Sequence, residues 1–148
     1  MRKILLVDDT PETISLFAAL LTRDGYECMT VDDGWPAITA AAIFDPDVIL
    51  MDIEMPGLDG YSAAQVIRTQ ERRRSCWIIA VSGKLDLPAV GALDDPFDAR
   101  LVKPVSYTAL RKFVSTLPET NERKSSISKY DYRADPAPFE PTEPAGSW

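Results

Sequence analysis

The residues of this chain that could do chemistry stand at the ends of short apolar runs. Asp8 and Asp9 follow Ile4-Leu5-Leu6-Val7, and Asp52 follows Val48-Ile49-Leu50-Met51. Ser82 follows Ile78-Ile79-Ala80-Val81, and Lys103 follows Leu101-Val102. Runs of this length suit strands buried on both faces, and in parallel sheets ligands collect at the strands' carboxyl ends. Gathered in one crevice, three carboxylates ~4 Å apart repel by about 4 kcal/mol per pair at an effective dielectric near 20. Such a cluster implies a divalent cation, and an all-oxygen donor set completed by water suits Mg²⁺, with Mn²⁺ as the alternative. A cation there invites a phosphoryl group. Asp52 can then act as a nucleophile and form an aspartyl phosphate, with Lys103 supplying a point charge and Ser82 a hydrogen bond to the phosphoryl oxygens.

Composition narrows the alternatives. The 148 residues, 45% hydrophobic and 26% charged, fit one globular domain with a real core. Histidine is absent, which removes His-based triads, His metal sites and any phosphohistidine of the chain's own. Cys28 and Cys76 lie in apolar contexts that read as buried free thiols. A net charge of -7 disfavours nonspecific binding to nucleic acid or anionic membranes, and Arg72-Arg73-Arg74 reads as a solvated loop. No stretch approaches the ~18 to 20 apolar residues of a membrane span. The apolar run at the N-terminus ends at Asp8, too early for a signal sequence, so the expected location is the cytoplasm.

Five strands must position the constellation: Lys3 to Val7, Tyr26 to Val31, the run ending at Asp52, Cys76 to Val81, and Ala99 to Val102. Between the first two, Thr10-Pro11-Glu12 supplies helix-start signals, Ile14, Phe17, Ala18 and Leu21 follow at helical spacing, and Gly25 stops the helix. Trp35 to Phe44 reads as a second helix, broken by Asp45-Pro46-Asp47. Tyr61 to Arg72 reads as a third, with Ala64, Val66 and Ile67 as buried candidates. Asp59-Gly60 before it reads as a structural loop and helix start. Pro88, Gly91 and Pro96 leave room only for a short or irregular helix between Lys84 and Asp98. Ser106 caps a last helix with the stripe Leu110, Phe113, Val114 and Leu117. Strands alternating with helices mean βα units, a parallel sheet and helices on both faces.

In order and spacing, Asp8-Asp9, Asp52 with Met55-Pro56-Gly57-Leu58-Asp59-Gly60, Ser82-Gly83 and Lys103-Pro104 resemble the signature set of receiver domains from bacterial two-component response regulators, over residues 2 to 117. The resemblance implies a flavodoxin-like (βα)5 fold with strand order 2-1-3-4-5, an arrangement for which receivers are a standard example. It implies phosphorylation of Asp52 by a sensor histidine kinase or a histidine phosphotransfer protein. Asp9, Asp52 and the backbone carbonyl of Glu54 would bind Mg²⁺, Asp8 acting largely through water, and the Lys103-Pro104 bond would be cis. The chain then acts as a single-domain, non-enzymatic, phosphorylation-controlled switch that binds a downstream protein. Alternatives are a phosphorelay intermediate and a phosphate-independent scaffold. An aspartyl-phosphate phosphatase of the haloacid-dehalogenase type would need an acid where Glu54 stands to be aspartate, and a cap domain.

The chain also departs from the family. Arg100 occupies the place of the aromatic or histidine switch residue three positions before the lysine, where it is a candidate tuning residue in place of the aromatic part of the switch; the plainer alternative is a surface side chain pairing with Asp98 or a partner's acid. Glu54 and Lys84 stand at positions that flank the crevice in receivers, where their opposite charges could pair across its mouth and tune phosphoryl lifetime by controlling water access. Residues 1–118 read as the receiver domain. Residues 119–148 read as a proline-rich tail, extended or disordered, whose anchors Tyr130, Tyr132, Phe139 and Trp148 could pack on the domain or on a neighbouring copy in a homodimer.

Overall fold

The computed structural model of the chain describes residues 2–70, 76–83 and 95–118. The Arg72–Arg74 run, Lys84, most of the segment read as an irregular helix, and the tail lie outside these residues. The elements follow in the order β1 (Lys3–Val7), α1 (Pro11–Arg23), β2 (Glu27–Val31), α2 (Gly34–Phe44), β3 (Val48–Asp52), α3 (Gly60–Thr69), β4 (Trp77–Ser82), β5 (Ala99–Val102) and α4 (Tyr107–Thr116). All four strand pairings are parallel, in the order β2-β1-β3-β4-β5. Four helices occur among the described residues, against five read from the sequence, because the remaining segment falls where no structure is described.

The inner strands β1, β3 and β4 are apolar between their end residues because the sheet is covered on both faces, whereas the edge strand β2 carries exposed Glu27 and Thr30. Alternation splits their residues into two cores. Ile4, Leu6, Val48, Leu50, Ile79 and Val81 pack with Phe17 and Leu21 of α1 and with Leu110, Phe113 and Val114 of α4. Leu5, Val7, Ile49, Met51, Ile78 and Ala80 pack with Ala37 and Ala41 of α2 and with Ala63, Ala64 and Ile67 of α3. The first core is closed at the chain's edges. The Trp77 indole donates to the Pro118 carbonyl at 3.0 Å, and the Arg2 guanidinium donates to the carbonyls of Val114 and Leu117.

Three local readings need correction. Val66 is 43% exposed, because the arc occupied by Gly60, Ala63, Ala64 and Ile67 leaves it off the buried face. Cys28 is only half-buried, since β2 is an edge strand with solvent on one side, whereas Cys76 is buried. Thr10 stands at the N-cap of α1 but makes no side-chain capping bond, so Pro11 and the acidic first turn define that helix start. Elsewhere the side-chain caps are made: Asp59 accepts from the Ser62 amide and Ser106 from the Ala109 amide. Gly25, at φ +102°, leads the chain out of α1 in a backbone region that favours glycine.

Candidate functional site

Strand register builds the site. Val7 lies opposite Met51, so the next residues, Asp8 and Asp52, emerge side by side at the carboxyl ends of β1 and β3. Val81 lies opposite Asp52, and Ser82 opposite Val102, which brings Ser82 and Lys103 to the same end of the sheet. Asp8, Asp9 and Asp52 each offer a carboxylate oxygen, all within 4.8 Å of one another. The donors are all hard oxygens, two of them on buried side chains, and this set fits a divalent cation such as Mg²⁺.

Lys103 closes the cluster. Its Nζ lies 3.3 Å from Asp52 Oδ1 and 3.7 Å from Asp8 Oδ2, and it keeps 25% of its side-chain surface in solvent. The Lys103-Pro104 peptide is cis. Asp8 Oδ1 accepts from the Thr10 amide at 2.8 Å, which fixes its rotamer, and Asp52 Oδ1 accepts from the Glu54 amide at 3.1 Å. Burial pushes the Asp52 carboxyl up to about 6; the Lys103 ammonium pulls against that shift, and the neighbouring Asp8 adds to it. Without a cation, the cluster holds its charge at a cost.

The loop after Asp52 is more than a connection. A Cβ built on Gly60 would lie 2.1 Å from the Asp52 carbonyl oxygen, so α3 begins in backbone contact with the candidate nucleophile. Only glycine permits that approach. Sequence reading places Gly60 in a structural loop and misses its contact with Asp52; the signal is glycine at a helix start after a strand-terminal acid.

The Glu54 carboxylate, though exposed, is engaged at the end of β4. Its Oε1 accepts from the Ser82 hydroxyl at 2.6 Å and from the Gly83 amide at 3.2 Å. The pairing with Lys84 expected across the crevice involves a residue outside those described.

Arg100 is the clearest reversal. It is not on the surface but 1% exposed, its Nη2 donating to Asp95 Oδ2 at 2.7 Å. Its guanidinium also lies over the Phe97 ring, 5.4 Å from the centroid. Among the described residues, its Nε and Nη1 are buried without a hydrogen-bond partner. Asp98, the partner read from sequence, instead accepts from Arg68 Nη2 at 2.8 Å and from the Ile78 amide at 2.9 Å. Strand alternation accounts for the burial of Arg100, and the engagement of Asp98 by Arg68 and the Ile78 amide accounts for its partner. Arg100 pairs with Ala80 and shares its face of the sheet, and a long side chain there must find an acid within the same buried layer.

The comparisons with known proteins point the same way. The receiver domain of sensor histidine kinase PA1611 from Pseudomonas aeruginosa, solved with magnesium coordinated in its active-site cleft, superposes with a TM-score of 0.66 at 34% identity, covering 77% of this chain and 94% of that one. Protein PilH of Pseudomonas aeruginosa is 33% identical over 118 residues, 79% of this chain and 98% of PilH. Response regulator PleD of Caulobacter vibrioides is 30% identical over 134 residues, but this chain spans only 29% of PleD's length. The family described as the response regulator receiver domain matches residues 4–115, three-quarters of the sequence and all of the sheet but Lys3. The chain belongs to the response regulator receiver domain family, and its fold is the flavodoxin-like parallel sheet of that family.

Proposed function

We propose that the chain is a phosphorylation-controlled protein-binding switch whose phosphoacceptor is Asp52. The observation that carries this reading is the meeting of Asp8, Asp9 and Asp52 within 4.8 Å, with Lys103 Nζ 3.3 Å from Asp52. A carboxylate oxygen of Asp52 attacks phosphorus in a donor phosphohistidine. The new P–O bond forms as the P–N bond breaks, and the imidazole nitrogen keeps the electron pair. The donor is a sensor histidine kinase or a histidine phosphotransfer protein. The family membership and the absence of histidine from this chain favour such a partner.

Asp9, Asp52 and the Glu54 carbonyl would hold Mg²⁺, with Asp8 beside them. Bound there, the cation neutralises the carboxylates and the negative charge of the incoming phosphoryl group. The magnesium in the PA1611 receiver supports this assignment. Lys103 takes a phosphoryl oxygen as a point charge, and Ser82 supplies a hydroxyl donor from β4. Residues 1–118 form the functional unit, working in the cytoplasm, and output passes by protein contact to a downstream target.

A phosphate-independent scaffold is the second reading, favoured by the buried Arg100–Asp95 pair where a mobile switch side chain would stand. One experiment separates the two. The protein is incubated with acetyl phosphate, or with beryllofluoride, in Mg²⁺, and modification is followed by intact mass and by ¹⁹F NMR. Uptake by wild type and its loss in Asp52→Asn supports the switch; no uptake, or uptake that survives Asp52→Asn, sinks it.

A further inference from the structure

We infer that the Glu54 carboxylate is a built-in competitor for the phosphoryl group, holding the two donors at the end of β4 until phosphorylation displaces it. The inference rests on Asp52 as phosphoacceptor. Ser82 has one hydroxyl proton, and that proton is given to Glu54 Oε1 at 2.6 Å. Gly83 has one amide proton, and it is directed at the same oxygen at 3.2 Å. One carboxylate oxygen therefore collects both donors that β4 presents at its carboxyl end. Two donors converging on an anionic oxygen is also what a phosphoryl oxygen would need from this strand.

The geometry makes the two uses exclusive. Ser82 cannot donate to Glu54 and to a phosphoryl oxygen at once, so the hydroxyl must change partner when Asp52 is modified. Glu54 is tied to both ends of that exchange. Its amide donates to Asp52 Oδ1 at 3.1 Å, while its side chain takes the Ser82 hydroxyl. The Ser82 side chain is buried and Glu54 exposed, so on release the carboxylate is rehydrated at little cost while the hydroxyl needs a new acceptor inside. Glu54 is thus a positioning residue. It sets how readily the unmodified state gives up Ser82, and its release exposes a negative side chain at the mouth of the site as a mark of the modified state.

Beryllofluoride in excess Mg²⁺ is the probe, titrated into wild type, Glu54→Ala, Ser82→Ala and the double variant. Substituting the side chain leaves the Glu54 backbone groups in place. Removing the competitor raises apparent affinity by about tenfold in Glu54→Ala, the low end for a hydrogen bond to a charged group. That gain shrinks when Glu54→Ala is made in Ser82→Ala, because the hydroxyl is gone and only the Gly83 amide is left to compete for. In wild type the Gly83 amide resonance shifts on beryllofluoride addition, and in unliganded Glu54→Ala it is already displaced from the wild-type position. If the Glu54→Ala gain is undiminished in the Ser82→Ala background, Glu54 acts by charge repulsion alone and the competitor is wrong. Wild type that binds beryllofluoride with Glu54→Ala unchanged overturns the competitor but not the phosphoacceptor. Wild type that takes up no beryllofluoride overturns both.

Discussion

Arg100 Nη2 donates to Asp95 Oδ2 at 2.7 Å, and each side chain keeps only 1% of its surface in solvent. This ion pair ties β5 to the segment that leads into it. A buried pair tolerates loss of one member poorly, because the other charge stays behind in a poorly solvating layer. Arg100→Ala is therefore expected to cost about 3–5 kcal/mol in urea unfolding. The double change Arg100→Met with Asp95→Asn recovers most of that loss, since neither charge is then stranded. Equal losses in the single and double variants would show that the pair is not what holds this layer.

Gly60 gives a second prediction. An alanine there places a methyl group 2.1 Å from the Asp52 carbonyl oxygen, against backbone that cannot swing aside. Gly60→Ala should destabilise the domain by about 1–3 kcal/mol and also weaken beryllofluoride uptake at Asp52. Thermal unfolding and ligand titration of the same preparation check the two effects together. A stability loss with unchanged uptake would mean that β3 absorbs the shift without moving the nucleophile.

Lys103 is expected to separate metal binding from phosphoryl binding. Its ammonium lies against Asp52 and Asp8 and so competes with a cation for the same negative charge. Lys103→Met is expected to raise Mg²⁺ affinity by roughly tenfold while lowering beryllofluoride retention. Isothermal titration calorimetry with Mg²⁺ reads the first effect and ¹⁹F NMR the second. Parallel loss of both would place Lys103 in a purely structural role.

The pH dependence of stability has a marker away from the site. The Tyr107 hydroxyl donates to Asp24 Oδ2, joining α4 to the end of α1. That bond holds the Asp24 carboxyl below its ordinary value, while burial, followed by Asp24, raises Tyr107. A depressed carboxyl stabilises the fold above its unfolded pKa and loses that contribution as pH falls through the folded value, so the Asp24 contribution fades in acid below about 4. A raised phenol contributes fully below its unfolded pKa, near 10, and loses the contribution as pH rises beyond its folded value. Tyr107→Phe should lower the melting temperature at pH 7 and flatten both limbs, as read by circular dichroism from pH 2 to 11.

The inner strands β1, β3 and β4 were legible because burial on both faces writes itself as uninterrupted apolar runs, and each run ends where a polar group can meet solvent or ligand. Hence Asp8, Asp9, Asp52, Ser82 and Lys103 could be named as strand-terminal residues from residue type and position. Helix boundaries were legible where a chemical signal exists, as at Asp59 and Ser106, and misleading where the signal is only permissive, as at Thr10. Val66 could not be placed because a residue at the margin of an amphipathic arc is decided by what packs beside it.

The amino-acid sequence by itself determined the sheet, the order of the βα units and the inventory of reactive groups, since these depend on local pattern and alternation. Only the tertiary structure decided partners. For Arg100 the sequence offers Asp98 or a partner's acid, and the structure supplies Asp95, because Asp98, equally buried, is taken by Arg68 and the Ile78 amide. Glu54 was assigned Lys84, and the partners described for its carboxylate are Ser82 and Gly83. The Ser82 bond spans 28 positions of chain, and the distance across two strand ends is set by register, which no local pattern contains.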